Sequence, residues 1–124
     1  MEIIDNNLIP KANGHYSTAI KSNGILYVSG QLPISTDGSH HPDKNFEEQF
    51  EMVFQNIVTI LEASGSSLEK VVKVTVYITD VQLWPKFNSL YAHFMGNHKP
   101  VRTVVPVSQL HYGYKLEVDL IAEI

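Results

Sequence analysis

Residues 45–64 constrain the fold more than any other stretch of this chain. Apolar side chains fall at Phe46, Phe50, Val53, Phe54, Ile57, Ile60 and Leu61, three and four apart. That spacing puts them on one face of an α-helix. Asn45 is placed to cap the N-terminus, with Glu48 three residues on to close a capping box. Glu47 and Glu48 suit the positive end of the helix dipole, and Gly65 stands where a left-handed C-terminal cap is expected. A helix with one apolar face needs a second layer to bury it.

The rest of the chain supplies a sheet for that layer. In residues 71–78, Val72, Val74, Val76 and Ile78 form an aliphatic face, with Lys73, Thr75 and Tyr77 opposite and Val71 at the start. A second helix is expected over residues 84–95, with Pro85 in its first turn and Gly96 as its stop. Its apolar face is Phe87, Leu90, Tyr91 and Phe94. Upstream, a polar arm leads to residues 16–21 and 25–30, which flank Ser22-Asn23-Gly24 and read as a hairpin. Residues 31–44 read as a long loop broken by Pro33, Asp37-Gly38 and Pro42, with His40 and His41 in solvent. Downstream, residues 100–107 and 114–120 read as two strands joined by a loop. The order β-β-α-β-α-β-β predicts a single two-layer α+β domain over residues 1–124, a mixed sheet with both helices on one face.

If parity holds, the uncovered sheet face carries Tyr27, Ser29, Lys73, Thr75, Tyr77, Arg102, Glu117 and Asp119. Such a mixture of aromatic, apolar and charged groups points to an oligomer surface with a site in it. Arg102 and Glu117 stand out, one charge in each of the last two strands. If those strands pair with the two residues opposite each other, both point the same way. The pair then reads either as a cross-strand ion pair or as a carboxylate anchor beside a base.

Several function classes fall away. The formal net charge of -4, with no run of Lys and Arg, argues against a non-specific nucleic-acid binder. The absence of cysteine removes disulfides, thiolate metal sites and cysteine nucleophiles. His93 and His98 lack the one-face helical spacing of a zinc pair. Neither a signal peptide nor an apolar run of roughly 18 residues is present, so a soluble, cytoplasmic protein with no membrane contact is expected.

Four segments resemble one family. They are Gly14-His15-Tyr16-Ser17; Val28-Ser29-Gly30-Gln31-Leu32-Pro33; Asn88-Ser89-Leu90-Tyr91-Ala92-His93-Phe94; and Pro100-Val101-Arg102-Thr103 leading to Leu116-Glu117-Val118-Asp119-Leu120-Ile121-Ala122. In this order, and over nearly the whole chain, they resemble the RidA/YjgF imine/enamine deaminases. The resemblance implies a chorismate-mutase-like fold and a homotrimer with a site in each cleft between subunits. It implies cofactor-free hydrolysis of 2-imino acids and their 2-enamine tautomers, such as 2-iminobutanoate and 2-aminoacrylate, to 2-keto acids and ammonia. It assigns Arg102 to the substrate carboxylate and Glu117 to water activation, and places Tyr16, Ser29, Gly30 and Asn88 around the substrate. The chain departs from the pattern at His15, where a proline is usual, and at Val104, where a cysteine is common. It departs again at His111, where Leu-Pro becomes Leu110-His111, followed by Tyr112-Gly113-Tyr114. These last changes bear on substrate range more than on reaction class.

The chemistry suits the residue types. A guanidinium fork fixes a carboxylate in two parallel hydrogen bonds and so orients the adjacent C=N carbon. A carboxylate within reach of water can take its proton. A glutamate pinned by Arg102 itself would be the poorer base. Ser29-Gly30 has no base in its motif and serves through backbone approach, not as a nucleophile. Rival readings are a non-catalytic trimer that binds small carboxylates, and a deaminase of a larger, aminomuconate-type enamine acid. A ribonuclease ranks last, on the acidic balance and the lack of an apparent histidine pair.

Overall fold

The computed structural model describes all 124 residues. Its elements are β1 (Glu2–Ile4), β2 (Ala19–Ser22), β3 (Ile25–Gln31), α1 (Phe46–Ala63), β4 (Val71–Ile78), α2 (Trp84–Met95), β5 (Val101–Pro106) and β6 (Leu116–Glu123). Short 3-10 turns precede β4, α2 and β6. The six strands form one mixed sheet in the order β1-β2-β3-β6-β4-β5. All neighbours are antiparallel except β4 and β5, which α2 joins as a crossover.

All seven apolar positions of α1 are buried, and they share one core with β3, β4, β6 and the inner face of α2. Full burial of each such side chain contributes about 1.5–3 kcal/mol. The capping box forms, with Glu48 N donating to Asn45 Oδ1 at 2.9 Å and Asn45 N donating to Glu48 Oε1 at 3.3 Å. Gln49, fully buried, donates to Lys44 O and accepts from Lys115 N, both at 2.9 Å, and so ties α1 to the entrance of β6. Asn56 donates to Ile34 O at 2.8 Å. Loop 31–44 is thereby pinned onto the helix rather than left in solvent.

Four expectations from the sequence need correction. The polar arm contains a strand, because the pairing of Ile3 with Ile20 and the burial of Ile4 anchor it to β2. The next strand begins at Ala19, not residue 16, since Tyr16 N turns back to Gly14 O at 3.0 Å. In β4 the register shifts between Val71 and Lys73, so Val71 is buried and Val72 is 42% exposed. Finally, β5 and β6 are not neighbours, because β4 lies between them. A strand-helix-strand unit sets its second strand parallel beside its first, which leaves β6 only the other side of β4.

Candidate functional site

The change in strand order decides where the charged pair goes. Arg102 lies in register with Val74, a buried residue of the helix-covered face. Its guanidinium carbon is 5.0 Å from the ring centre of Tyr91 and 5.6 Å from that of Phe87, both on α2. Glu117 lies in register with Tyr77, between the buried Leu116 and Val118, and therefore faces the other way. Two strand spacings across and three residues along the sheet separate their backbones by about 14 Å. Arg102 and Glu117 are not opposite each other, do not share a face, and form no ion pair within the chain.

Glu117 belongs to a cavity of about 650 Å³ on the open side of the sheet, which Tyr16, Ser29 and Gly30 also line. The register of β3 against β6 shifts between Val28 and Gln31, which takes Ser29 and Gly30 out of the regular ladder. Ser29 is held by its backbone N–H on Thr18 O at 2.9 Å and its Oγ on Ser17 O at 2.5 Å. Gly30 presents bare backbone to Glu117. A Cβ there would stand 2.9 Å from Glu117 Oε2 and 3.0 Å from Cδ. Glycine is required for this close approach, not for an unusual backbone angle.

Burial raises the Glu117 carboxyl above its ordinary range; Asp119 adds to this and His111 opposes it. No cation pins the carboxylate. A half-buried carboxylate of raised pKa is better matched to taking a proton from water than one held ionised by arginine.

Apart from Tyr16, the rim is built by residues that the sequence places in the N-terminal arm and the loops. Tyr16 Oη donates to Asn13 Oδ1 at 3.1 Å, and Asn13 Nδ2 donates to Tyr112 Oη at 3.2 Å. The Tyr112 ring lies between His111, with centroids 3.6 Å apart, and His40, at 4.1 Å. His40 is exposed, as the loop reading expects, and it also lines the cavity and meets the buried Tyr114 hydroxyl at 3.2 Å. Tyr114 also accepts the His41 N–H at 3.0 Å, which draws the loop to the rim. His15 does not line the cavity. The histidine pair missing from the sequence reading is His40 and His111, 71 positions apart, and no local spacing signals it.

Arg102 and Asn88 lie outside the cavity. Asn88 is exposed on α2, three residues before Tyr91 and so beside it on the helix surface. Tyr91 Oη is buried without a hydrogen-bond partner; burial raises its pKa, and Arg102 partly opposes that. The Arg102 guanidinium carries no ion pair and is exposed on the edge strand. The chain thus presents two separate polar surfaces. One has a carboxylate in a cavity, and the other has an unengaged guanidinium over aromatic rings.

Comparison with known proteins places this arrangement. The model of the family described as Endoribonuclease L-PSP, the YjgF/RidA family, matches residues 7–124. The chain belongs to this family. Protein HMF1 of Saccharomyces cerevisiae is 40% identical over 91% of this chain and 87% of its own length. Reactive Intermediate Deaminase A, chloroplastic, of Arabidopsis thaliana is 32% identical over 98% of this chain and 65% of its own. The crystal structure of E. coli TdcF with bound serine superposes with a TM-score of 0.91 at 29% identity, covering 100% of this chain and 99% of that one. The α+β fold read from the sequence is the fold of this family. At family level, deamination of reactive imine and enamine intermediates is supported. None of the helices is long and apolar enough to cross a membrane.

Proposed function

We propose that this protein hydrolyses small 2-imino acids and their 2-enamine tautomers to 2-keto acids and ammonia, without a cofactor, in a site assembled from two protomers of a homotrimer. One observation carries the reading. Glu117 sits unpaired in a cavity with a raised carboxyl pKa, while Arg102 stands unpaired on the opposite face of the same sheet. Each half lacks what the other supplies, and about 14 Å of sheet keeps them apart within one chain. Closed symmetric assembly brings different faces of identical chains together.

Arg102 of one protomer takes the substrate carboxylate in a bidentate grip, with Asn88 beside it. The C=N carbon then lies against the Gly30 backbone, near Glu117 of the neighbour. Glu117 accepts a proton from water as the oxygen bonds to that carbon, and the C=N π pair moves to nitrogen. The nitrogen takes up protons and leaves as ammonia while the carbonyl forms. The TdcF structure holds serine, whose carboxylate and nitrogen share one carbon, as in a 2-imino acid. That supports a small ligand of this shape.

The His40 and His111 pair favours a second reading, ribonuclease, more than the sequence alone did. The cavity opposes it. Lys11 is its one Lys or Arg, set against Asp37 and Glu117, which is a poor footing for a phosphate backbone.

The test is to release 2-iminobutanoate in situ with a threonine dehydratase and follow keto-acid formation against a trapping amine. Wild type accelerates the reaction and Arg102→Ala does not. Equal behaviour of the two sinks the deaminase reading. Cleavage of single-stranded RNA that is lost in His40→Ala and His111→Ala would replace it with the ribonuclease one.

A further inference from the structure

The deaminase reading requires Arg102 to be aimed, and no ion pair within the chain aims it. We propose that Tyr91 and Phe87 form an aromatic platform that sets the Arg102 guanidinium in place before substrate arrives, so that Tyr91 is a positioning residue for the grip on the substrate carboxylate. This rests on the deaminase reading, in which Arg102 takes that carboxylate, and adds how the grip is prepared.

Three observations carry it. The first is the setting of Arg102. It is exposed on an edge strand, where a long side chain keeps its rotamer freedom unless something restrains it. The second is what restrains it. The guanidinium carbon stands 5.0 Å over the Tyr91 ring centre and 5.6 Å over that of Phe87, within the roughly 6 Å reach of a cation–π attraction. The two rings are 5.4 Å apart and inclined by only 30°, so they offer one continuous surface. A carboxylate partner would fix the guanidinium and occupy its fork. A ring face fixes it and leaves the fork for a ligand. The third is that the platform is itself rigid. Phe87 is fully buried and Tyr91 is 8% exposed. Phe50 meets Phe87 at 5.7 Å and Phe54 meets Tyr91 at 6.0 Å, both edge-on. The apolar face of α1 thus fixes the rings of α2, and these place the guanidinium of β5.

The strand order makes this possible. Parallel pairing beside β4 turns Arg102 to the helix side, in register with Val74. Without the platform, Arg102 would be ordered only on binding, which weakens a ligand by about 2- to 13-fold.

The experiment measures the affinity of the keto acid 2-oxobutanoate by calorimetry for wild type, Tyr91→Phe, Tyr91→Leu and Arg102→Ala. Tyr91 Oη has no hydrogen-bond partner, so Tyr91→Phe should bind as wild type does. Tyr91→Leu should bind about 2- to 13-fold more weakly, and should raise KM for 2-iminobutanoate more than it lowers kcat. Leucine also changes the packing against Phe54, so a further variant carries trifluorophenylalanine at position 91. This ring keeps its shape while the negative charge on its face is withdrawn. It should bind 2-oxobutanoate more weakly than Tyr91→Phe at an unchanged Tm, whereas a purely structural ring predicts equal affinity. Equal affinity of those two proteins overturns the proposal. So does a loss in Tyr91→Phe as large as in Tyr91→Leu, or a wild type that binds no more tightly than Arg102→Ala. If no imine is accelerated, the deaminase reading fails; weaker binding of 2-oxobutanoate by the fluorinated protein than by Tyr91→Phe still upholds the platform.

Discussion

Mixing two inactive variants tests whether the site is shared between chains. Arg102→Ala keeps Glu117 and its cavity, and Glu117→Gln keeps the guanidinium over Tyr91 and Phe87. Each homotrimer should be inactive. In trimers formed from equal amounts of the two, a site draws its arginine from one chain and its glutamate from the next. The arginine is intact in half of cases and the glutamate independently in half, so about a quarter of sites are whole. Activity should return to about 25% of wild type per protomer, a value set by counting rather than by energies. The geometry behind this number is the strand order. With β4 between β5 and β6 and the two side chains on opposite faces, one chain cannot bring Arg102 and Glu117 to the same small ligand. The assay is keto-acid formation from enzymatically released 2-iminobutanoate, after co-refolding equal amounts of the two variants and without separating the resulting trimers. A control pairs wild type with the double variant Arg102→Ala/Glu117→Gln. Shared sites give about a quarter of full activity there, whereas sites within one chain give about half. No recovery in the first mixture together with half activity in the second would refute the two-protomer site.

Two further outcomes follow from the surroundings of Glu117. Its raised carboxyl pKa means that the folded protein holds this proton more tightly than the unfolded chain. Stability is then lost as pH rises through the folded value. Glu117→Gln should therefore have a higher Tm than wild type at pH 8, by calorimetry, with the gap closing in acid; the acid limb of kcat/KM in wild type should lie above the ordinary carboxylate range. A lower Tm for Glu117→Gln at pH 8 would mean that the charge is structural. Gly30→Ala places a methyl 2.9 Å from Glu117 Oε2, the far end of a side chain that can yield. The fold should hold, while the carboxylate moves by about 0.5 Å and kcat falls by roughly 10-fold or more; unchanged kcat with an unchanged Tm would show that the carboxylate position is not critical.

The fold was legible where periodicity carries it. The bounds of β4 and α2, the buried face of α1 and its capping box were all written locally, in residues three, four or two apart. Parity failed where a bulge intervened. One extra residue at Val72 turns an aliphatic side chain outward, and apolar character alone does not mark it. The rim was illegible for a different reason. His40 reaches Tyr112 and Tyr114 only because Asn56 holds Ile34 and Tyr114 holds His41. These are contacts across 22 and 73 positions of chain, and no window of sequence contains them.

The error over Arg102 and Glu117 is the most instructive, because the signal that prevents it was present. Two strands joined by a loop invite pairing. Yet β5 also follows a helix that follows β4, and a strand-helix-strand unit returns its second strand beside its first. Once β5 occupies that edge, β6 must take the other flank of β4. Register then sends Arg102 to the helix side and Glu117 to the open side. An ion pair between them would have satisfied both charges and left nothing for a substrate. Their separation leaves a guanidinium without a carboxylate and a carboxylate without a cation, each held by its own scaffold. A 2-imino acid bound between two chains would satisfy the arginine with its own carboxylate and leave Glu117 free for water, so the unpaired charges argue for assembly as strongly as for chemistry.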